Sequence, residues 1–190
     1  MFGGIDEVGR GALAGPVIAA AVVLDSEDRF ISGLDDSKRL TPARRERLSG
    51  VIISRARAWS IGRAECSEID RLNVLEASLL AMKRAFDGLD TKPVWVRVDG
   101  NRYPSIAWPG EAIVHGDATV PEIMAASILA KVARDREMAI LDALYPGYGF
   151  SAHKGYPTAG HRARLKERGP CPLHRTGFGP VRICMSRKSG

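Results

Sequence analysis

The chain has 190 residues, of which 45% are hydrophobic and 26% are charged, and its formal net charge is +6 at pH 7. This composition is typical of a globular protein that can bury a core without disulfide or metal crosslinks, and it excludes a disordered tail protein, a collagen and a coiled coil. The longest nearly apolar run, Ala14 to Leu24, has 11 residues, whereas a membrane helix needs about 20, so we expect no membrane association.

The positive charge is concentrated near the C-terminus. Residues 151–190 contain nine Lys or Arg and one acid, whereas residues 1–150 contain 19 Lys or Arg and 21 acids. A basic segment beside a nearly neutral body indicates a polyanionic partner, with nucleic acid the leading candidate, although a solvated tail that binds nothing has the same composition. Three cysteines and a start without a basic or apolar stretch predict a reducing compartment and no secretion signal.

The first third of the chain predicts two neighbouring strands, a helix and a third strand. Phe2–Val8 and Val17–Leu24 are rich in apolar residues, and the short glycine-rich link between them favours an antiparallel pair. A helix is predicted from Pro42, with Thr41 as its cap, to about Ser54. A third strand follows near Ala58 to Arg63.

The middle of the chain predicts alternating helices and strands. Apolar residues between Leu72 and Phe86 recur at helical spacing. Val94–Val98 and Ala112–Val114 are predicted strands, and each is followed by an Asp-Gly or Gly-Asp pair. An alanine-rich stretch from Pro121 to Leu144 predicts a long helix that packs closely against a sheet. From residue 145 glycines and prolines predict a loop, then a short basic helix from Ala159 to Arg168, then irregular chain.

Four acidic residues lie where predicted strands end. Asp6 and Glu7 are in the first strand, Asp99 closes a later strand and Asp117 follows another. Carboxylates gathered at one rim of an α/β sheet would repel one another unless cations neutralised them, and hard oxygen ligands favour Mg²⁺ or Mn²⁺. A turn role for Asp99 is the alternative. Neighbours on a regular strand point to opposite faces, so a shared site requires β-strand pairing to end or bulge near Asp6.

Other sites are weaker candidates on spacing. The glycine-rich run at residues 9–15 resembles a dinucleotide loop, but a β-rich segment follows it where a helix is needed. A zinc site could be sketched from Cys171, His174, Cys184 and His161, although their separations match no standard pattern. Ser127, on the alanine-rich helix, is expected to pack rather than to act as a nucleophile, and His153 and His161 are expected to be loop polar residues.

Taken together, the chain resembles bacterial ribonuclease HII. The matching segments run in order from about residue 3 to residue 182 and are Gly4–Gly11 with Leu13–Val17, Asp36–Leu40, Val98–Asn101, Gly116-Asp117 with Ala125–Val132 and Arg134-Asp135, and His153–Thr158 with His161 and Phe178–Val181. The resemblance implies a ribonuclease H-like fold, an α/β arrangement with a five-stranded mixed sheet flanked by helices. We expect residues 1–145 to form this catalytic domain and residues 146–190 to form a basic helical segment packed on it.

The resemblance also implies a function and a set of site residues. It implies an endonuclease that cuts the RNA strand of RNA–DNA hybrids and cuts 5′ to single ribonucleotides in duplex DNA, as a cytoplasmic monomer using Mg²⁺ or Mn²⁺. The metal-binding and catalytic acids would be Asp6, Glu7, Asp99 and Asp117. The residues expected to bind nucleic acid are Gly9, Arg10 and Gly11 at the ribose 2′-hydroxyl, Tyr156 on the neighbouring deoxyribose, and Lys38 and Arg39 near the backbone. A non-catalytic nucleic-acid-binding domain is the alternative from another functional class.

Overall fold

The computed structural model describes residues 1–25, 33–35 and 37–186. Asp36 of the second matching segment lies outside the described residues, and so do Arg187 and Lys188 of the basic segment. Within the described ranges, no helix combines the length and the apolar character needed to cross a membrane.

A five-stranded mixed sheet forms the centre of the molecule. Its strands are β1 (Phe2–Val8), β2 (Val17–Leu24), β3 (Ala58–Ala64), β4 (Trp95–Asp99) and β5 (Gly110–Ile113), in the spatial order β3-β2-β1-β4-β5. β2 is antiparallel to both β1 and β3, whereas β4 is parallel to β1 and β5. The predicted sheet class and the predicted antiparallel first pair are therefore confirmed.

Seven α-helices flank the sheet in the described part of the chain. They are α1 (Pro42–Arg55), α2 (Cys66–Leu72), α3 (Val74–Asp87), α4 (Pro121–Leu144), α5 (Phe150–His153), α6 (Ala159–Arg168) and α7 (Gly179–Ser186). α1 begins as predicted, because the Thr41 side chain accepts a hydrogen bond from the Arg44 backbone N–H and Pro42 occupies the first turn. The bounds of α4 and α6 also agree with the sequence prediction.

One helix prediction has its start misplaced and another is wrong. The helix predicted from Leu72 to Phe86 is present as α3, but it begins at Val74, because Leu72 ends a separate helix, α2, and Asn73 between them has a φ of 77°. The Asn73 side chain then accepts hydrogen bonds from the first N–H groups of α3, which Asn does better than most residues because it tolerates a left-handed backbone. The chain after α6 is not wholly irregular, because α7 forms with Pro180 in its first turn, where the missing N–H has no helical acceptor to lose.

The two faces of the sheet carry different helices. Alternate residues of β2 face α3 on one side (Ala19, Ala21, Val23) and α4 with α1 on the other (Ala20, Val22, Leu24). A Cβ at Gly4 of β1 would overlap the α4 backbone at Glu122. This close approach of α4 to β1 brings side chains in the first turns of α4 to the end of β1.

Candidate functional site

Three of the predicted acids meet at the carboxyl ends of β1 and β4. These strands are parallel and Ile5 pairs with Val98, so Asp6 and Asp99 take the next positions on neighbouring strands. Asp117 lies in a short 3-10 turn (Gly116–Ala118) that follows β5. The Asp117 backbone N–H donates to Asp99 Oδ1 at 3.1 Å, which joins the ends of β4 and β5 at the same edge of the sheet.

Glu7 leaves this edge on the other face of the sheet. β1 runs through Val8 as the sequence predicts, with Asp6 opposite Ala20 and Glu7 opposite Ala19 of β2. Its pairing with β4 stops at Ile5, so the end of pairing that a shared site requires is present on the β4 side. Ala20 packs on the α4 side and Ala19 on the α3 side, so the two carboxylates diverge. The two side chains leave the strand on opposite faces, yet Glu7 lines one small pocket with Asp99 and Arg10, so the acids still meet at the end of the sheet.

Asp6 is the most deeply buried of the four acids. Its side-chain Oδ1 accepts a hydrogen bond from the Glu7 N–H at 2.7 Å. Burial raises its pKa well above the ordinary value, and the nearby charges of Glu7 and Asp99 raise it further, whereas a hydrogen bond from the Ser127 hydroxyl lowers it. The Asp6 carboxylate is thus held in a place with too little positive charge.

Ser127 is a site residue that sequence reasoning missed. Its hydroxyl lies 2.8 Å from the Ser37 hydroxyl and contacts the Asp6 carboxylate. Ser127 is buried, as the expected packing role requires. Its hydroxyl also connects α4 and the segment before α1 to the acid edge, the end of the sheet that carries Asp6, Glu7, Asp99 and Asp117. The available signal was a lone polar residue in a run of alanines on the buried side of α4.

The other acids show the same shortage of positive charge, with partial compensation. Burial is the largest cause of the raised pKa of both Glu7 and Asp99. Glu7 is partly compensated by Arg10, whose Nη1 lies 3.3 Å from Glu7 Oε1. Repulsion from Asp117 adds to the rise at Asp99. The Arg10 side chain is about half exposed, so it can leave Glu7 and bind another anionic group.

Lys38 completes the acid edge from outside the sheet. Its Nζ lies 2.7 Å from Asp117 Oδ2, although three quarters of the Lys38 side chain is exposed. The structure thus places Lys38 against one of the acids. The contact with the nucleic-acid backbone that the resemblance implies for Lys38 stays a prediction. Arg39 instead points to Asp35, at 3.2 Å, in an exposed ion pair.

The chemistry of these acids fits a divalent cation, but they are not arranged as a finished site. Among the described residues, no group of three His, Cys, Asp or Glu side chains is positioned to hold a metal ion. In this arrangement Asp117 is paired with Lys38 and Glu7 with Arg10. Buried carboxylates with raised pKa nevertheless provide hard oxygen ligands in a place that lacks positive charge, which are conditions that favour Mg²⁺ or Mn²⁺.

The loop after β1 lies directly beside the acids. In this 9–16 loop (residues 9–16), the Ala12 N–H donates to Gly9 O at 3.3 Å, so residues 9–12 form a turn with Arg10 and Gly11 exposed at its tip. Gly9 has a φ of 97°, which strongly favours glycine. The structure therefore presents the predicted glycine-arginine segment to solvent next to Glu7.

Tyr156 approaches the same loop from the C-terminal segment. It is partly exposed, and its neighbour Gly155 accepts a hydrogen bond from the Leu13 N–H at 2.8 Å. The guanidinium of Arg134 lies 5.4 Å from the centroid of the Tyr156 ring, and a Cβ at Gly9 would overlap the same guanidinium. Tyr156 and the 9–16 loop are thus held around one buried side chain.

The histidines near Tyr156 form a buried neutral cluster. His161 is fully buried, so its expected role as a loop polar residue is wrong. Its Nδ1 donates to Tyr156 O at 3.0 Å, and its Nε2 then accepts from His174 Nε2 at 3.1 Å. His174 Nδ1 in turn accepts from the Cys171 N–H at 3.0 Å. Every nitrogen in this chain has one assigned partner only if both imidazoles are neutral.

The alternative zinc site is not present in the described residues. The proposed ligands His161, His174 and Cys171 do come together, but Cys184 donates instead to Leu165 O at 3.1 Å. Burial is the largest cause of the lowered pKa of His174, about 4, and His161 lowers it further. The cluster therefore stabilises the segment that carries Tyr156.

Comparisons with known proteins agree on one family. A family model for ribonuclease HII matches residues 3–181. The chain is 59% identical over 189 residues to a ribonuclease HII of Methylococcus capsulatus, covering 100% of this chain and 97% of that protein. Ribonuclease H2 from Pyrococcus horikoshii has a similar structure, with a TM-score of 0.82 at 28% identity, and the match covers 98% of this chain and 97% of that one.

Two further solved structures share the fold. The ribonuclease HII of Archaeoglobus fulgidus, solved as a complex with PCNA, has a TM-score of 0.73 at 25% identity over 94% of this chain and 95% of that one. Bst ribonuclease HIII in complex with Mn²⁺ has a TM-score of 0.75 at 17% identity, over 98% of this chain and 69% of that one. The second likeness extends to the fold alone.

Proposed function

The chain belongs to the ribonuclease HII family and is a metal-dependent endoribonuclease with ribonuclease H activity on RNA–DNA hybrids; we propose that it also cuts 5′ to single ribonucleotides embedded in duplex DNA. Cleavage would form a bond from a water oxygen to phosphorus and break the bond to the 3′ oxygen. The products would be a 3′-hydroxyl and a 5′-phosphate. The observation that carries this proposal is the group of buried carboxylates directly beside the exposed Arg10-Gly11 turn of the 9–16 loop.

The acids that would hold the catalytic ions are Asp6, Glu7, Asp99 and Asp117. Mg²⁺ or Mn²⁺ bound there would supply the positive charge that activates an attacking water and stabilises a leaving oxygen. Mn²⁺ is present in the structure of the related ribonuclease HIII. Arg10 and Lys38 now occupy positions against two of these acids, and we propose that they release the carboxylates when substrate and ion bind, and turn towards phosphate.

Selection of the ribonucleotide would fall to the 9–16 loop and Tyr156. A ribose 2′-hydroxyl is the group that distinguishes RNA from DNA, and exposed Gly11 lets the loop backbone approach it closely. The Tyr156 ring would stack on the next deoxyribose. Since both elements adjoin the acid edge, they would fix which phosphate reaches the ions.

Affinity for the duplex would come from the basic surface of α6. Arg162, Arg164, Lys166 and Arg168 are exposed along this helix, where they can displace counterions from phosphates. Arg39 would add to this surface from the segment before α1. A non-catalytic binding domain would gain nothing from buried carboxylates beside such a surface, because they repel the phosphates that it must hold.

The surroundings proposed for this activity are the cytoplasm, with the protein acting as a monomer. All three cysteines are free thiols in the structure, which suits a reducing compartment.

A cleavage assay tests the proposed function directly. Three duplexes of one sequence would be incubated with the protein, with Mg²⁺ and with EDTA: all-DNA, DNA with one internal ribonucleotide, and an RNA–DNA hybrid. We expect Mg²⁺-dependent nicking of the second duplex immediately 5′ to the ribonucleotide, and none of the first. Cleavage of the hybrid alone would contradict the single-ribonucleotide proposal, and nicking of the all-DNA duplex would contradict ribose selection.

A further inference from the structure

In the described part of the chain two arginines are completely buried, and the proposed chemistry does not use them. Arg134 lies in the middle of α4, and Arg175 lies in the chain between α6 and α7. Each has 0% of its surface exposed. Burial lowers the pKa of Arg175 to about 10, which leaves the guanidinium charged at neutral pH. Burial of two neighbouring cations is unfavourable, since the charge of Arg134 itself lowers the pKa of Arg175. Hydrogen bonds to the surrounding groups must therefore compensate for the lost hydration.

Arg175 directs its donors to the backbone of the 9–16 loop. Its Nε and Nη2 donate to Gly15 O at 3.0 and 2.7 Å, and its Nη1 donates to Arg10 O at 2.9 Å. Its own N–H donates to Leu13 O at 2.9 Å. One side chain thus fixes both ends of the loop, since these carbonyls are five residues apart along the chain.

Arg134 holds the same loop from the α4 side and extends the hold to Tyr156. Its Nε and Nη2 donate to Pro16 O at 3.0 Å and to Ala14 O at 3.2 Å. Its Nη1 donates to Lys154 O at 2.8 Å, and its guanidinium lies over the Tyr156 ring. The loop and the Tyr156 segment therefore share one buried anchor.

Glycines make this close packing possible. A Cβ at Gly9 would overlap Arg134, and a Cβ at Gly155 would overlap Ala14 O. Both glycines have a positive φ, 97° and 80°, which other residues rarely adopt. The hydrogen bonds of the two arginines therefore depend on glycine at both of these positions.

The direction of one backbone N–H follows from the Arg175 contacts. In a trans peptide the C=O and the following N–H point in opposite directions, and the described chain has no cis peptide bond. Because Arg10 O is turned inward to Arg175, the N–H of Gly11 is turned outward. Gly11 is exposed, and the space where its Cβ would lie is open, so a ribose hydroxyl can reach this donor.

We propose that Arg134 and Arg175 are positioning residues for ribonucleotide selection, which hold the Gly11 N–H and the Tyr156 ring in a fixed relation to each other. The inference rests on the proposed function for the identity of the group that is selected. At each position the donors sit on three separate nitrogens, Nε, Nη1 and Nη2, and reach carbonyls of different residues. The planar fork of arginine provides this spread, whereas the three donors of a lysine share one nitrogen. A purely structural role would not require the donors to converge on the loop that faces substrate.

Hydrogen exchange of the backbone tests the positioning directly. Arg175→Lys keeps the charge and removes the fork, and Arg136→Lys is its control, because Arg136 is exposed on the protein surface, where it pairs with Glu46. We expect the amides of Ala12, Leu13 and Gly15, which donate to backbone carbonyls, to exchange at least tenfold faster in Arg175→Lys, with β4 unchanged and with no change anywhere in the control. Unchanged exchange in the loop, or an equal increase in β4, would overturn the proposal.

Equilibrium binding then tests the consequence for selection. The ratio of the Kd for an all-DNA duplex to the Kd for the same duplex with one ribonucleotide would be measured by fluorescence anisotropy in EDTA. This ratio does not depend on the folded fraction, so it separates lost positioning from lost stability. We expect it to fall at least fivefold in Arg175→Lys and in Arg134→Lys, and to stay at the wild-type value in Arg136→Lys.

The two measurements fail in different ways. A wild-type ratio near one would remove ribose selection from the proposed function, whereas hydrogen exchange would still decide whether the arginines hold the loop. A wild-type ratio well above one that Arg175→Lys retains would overturn the positioning role and leave the proposed function intact.

Discussion

The acid edge and the 9–16 loop adjoin each other, and each gathers buried groups of one charge. Under the loop, Arg134 and Arg175 have their donors occupied by carbonyl oxygens of the chain itself. At the edge, Asp6 and Asp99 have raised pKa values because burial disfavours their charge and neighbouring carboxylates repel it. The difference indicates which cluster is scaffold and which requires a ligand.

The partial compensation at the edge has a different character from that under the loop. Glu7 and Asp117 are paired with Arg10 and Lys38, which are long side chains with large exposed fractions. Such pairs contribute little stability and are easily exchanged. The carbonyls that satisfy the arginines are fixed in the backbone. Binding of substrate is therefore expected to rearrange the edge and to leave the loop as it is.

The largest expected effect is loss of cleavage when one acid is neutralised. Asp99→Asn and Asp6→Asn should each lower the cleavage rate at least about a thousandfold, or about 4 kcal/mol in barrier, because each removes a proposed ion ligand. Their melting temperatures should equal or exceed that of the wild type, since a buried like charge is removed. Glu111→Gln, at an exposed position in β5, is the control and should cleave normally. Near-normal rates in either Asp variant would show that the edge is not the catalytic site.

Substitution of alanine at two glycines of the 9–16 loop should affect different properties, stability at Gly9 and ribose selection at Gly11. Gly9→Ala should lower the free energy of unfolding by at least about 2 kcal/mol, because the new Cβ meets Arg134 at a positive φ. Gly11→Ala should change it by less than about 1 kcal/mol, since its Cβ enters open space, yet it should reduce ribose selection by crowding the exposed N–H. Urea unfolding and the binding ratio measure the two effects; equal destabilisation by both substitutions would contradict the described packing.

The histidine cluster predicts a loss of stability in acid. His174 has a pKa of about 4 in the fold, against about 6.5 when unfolded, so the unfolded chain binds the extra proton first as the pH falls. Stability should be complete above pH 6.5 and should decline by up to about 3 kcal/mol as the pH approaches 4. His161, His153 and Cys171 surround this imidazole, and burial also lowers the pKa of His161.

Urea unfolding at pH 7 and pH 5 measures this decline. His174→Gln should flatten the change between the two pH values, while His115→Asn, at an exposed turn, should leave it as in the wild type. The raised pKa values of Asp6 and Glu7 act in the opposite direction, so the wild type is compared with the variants. The same change in His174→Gln as in the wild type would contradict the lowered pKa of His174.

The smallest of these effects is expected at Tyr156. Tyr156→Ala should cost about 1–3 kcal/mol in cleavage of the single-ribonucleotide duplex through lost stacking, and less on a long hybrid. Tyr156→Phe keeps the ring and should retain most of the activity on both substrates. Parallel kcat/KM measurements on the two substrates test this difference. An equal loss on both would contradict the proposed stacking of Tyr156 on the deoxyribose next to the ribonucleotide.

Most of the fold followed from the sequence, and the exceptions have physical causes. Alternating and continuous apolar runs predicted the five strands, and Thr41-Pro42 predicted where α1 begins. The break at Asn73 was missed because apolar spacing continues across it, while one left-handed residue and its side-chain cap divide the helix. α7 was missed because Pro180 indicates irregular chain, although a proline in a first turn is compatible with a helix.

The site was predictable in its residue types and less so in its geometry. The positions of Asp6, Asp99 and Asp117 at strand ends, and the extent of β1 to Val8, were visible in the sequence. The pairing of Asp117 with Lys38 was not, because these residues are 79 positions apart along the chain. Arg134 and Arg175 could not be assigned either, because nothing in the sequence shows that their acceptors are carbonyls more than 100 residues away.

The central claim is that the acids of the sheet edge together bind a divalent cation, and thermal unfolding with Mn²⁺ tests it most directly. A ligand that binds only the folded state raises the melting temperature, and the stabilisation grows with the logarithm of the ligand concentration relative to its Kd. We predict a melting temperature that rises with Mn²⁺ concentration in the wild type and in Glu111→Gln, but not in Asp99→Asn. The same rise in Asp99→Asn, or no rise in the wild type, would contradict the account.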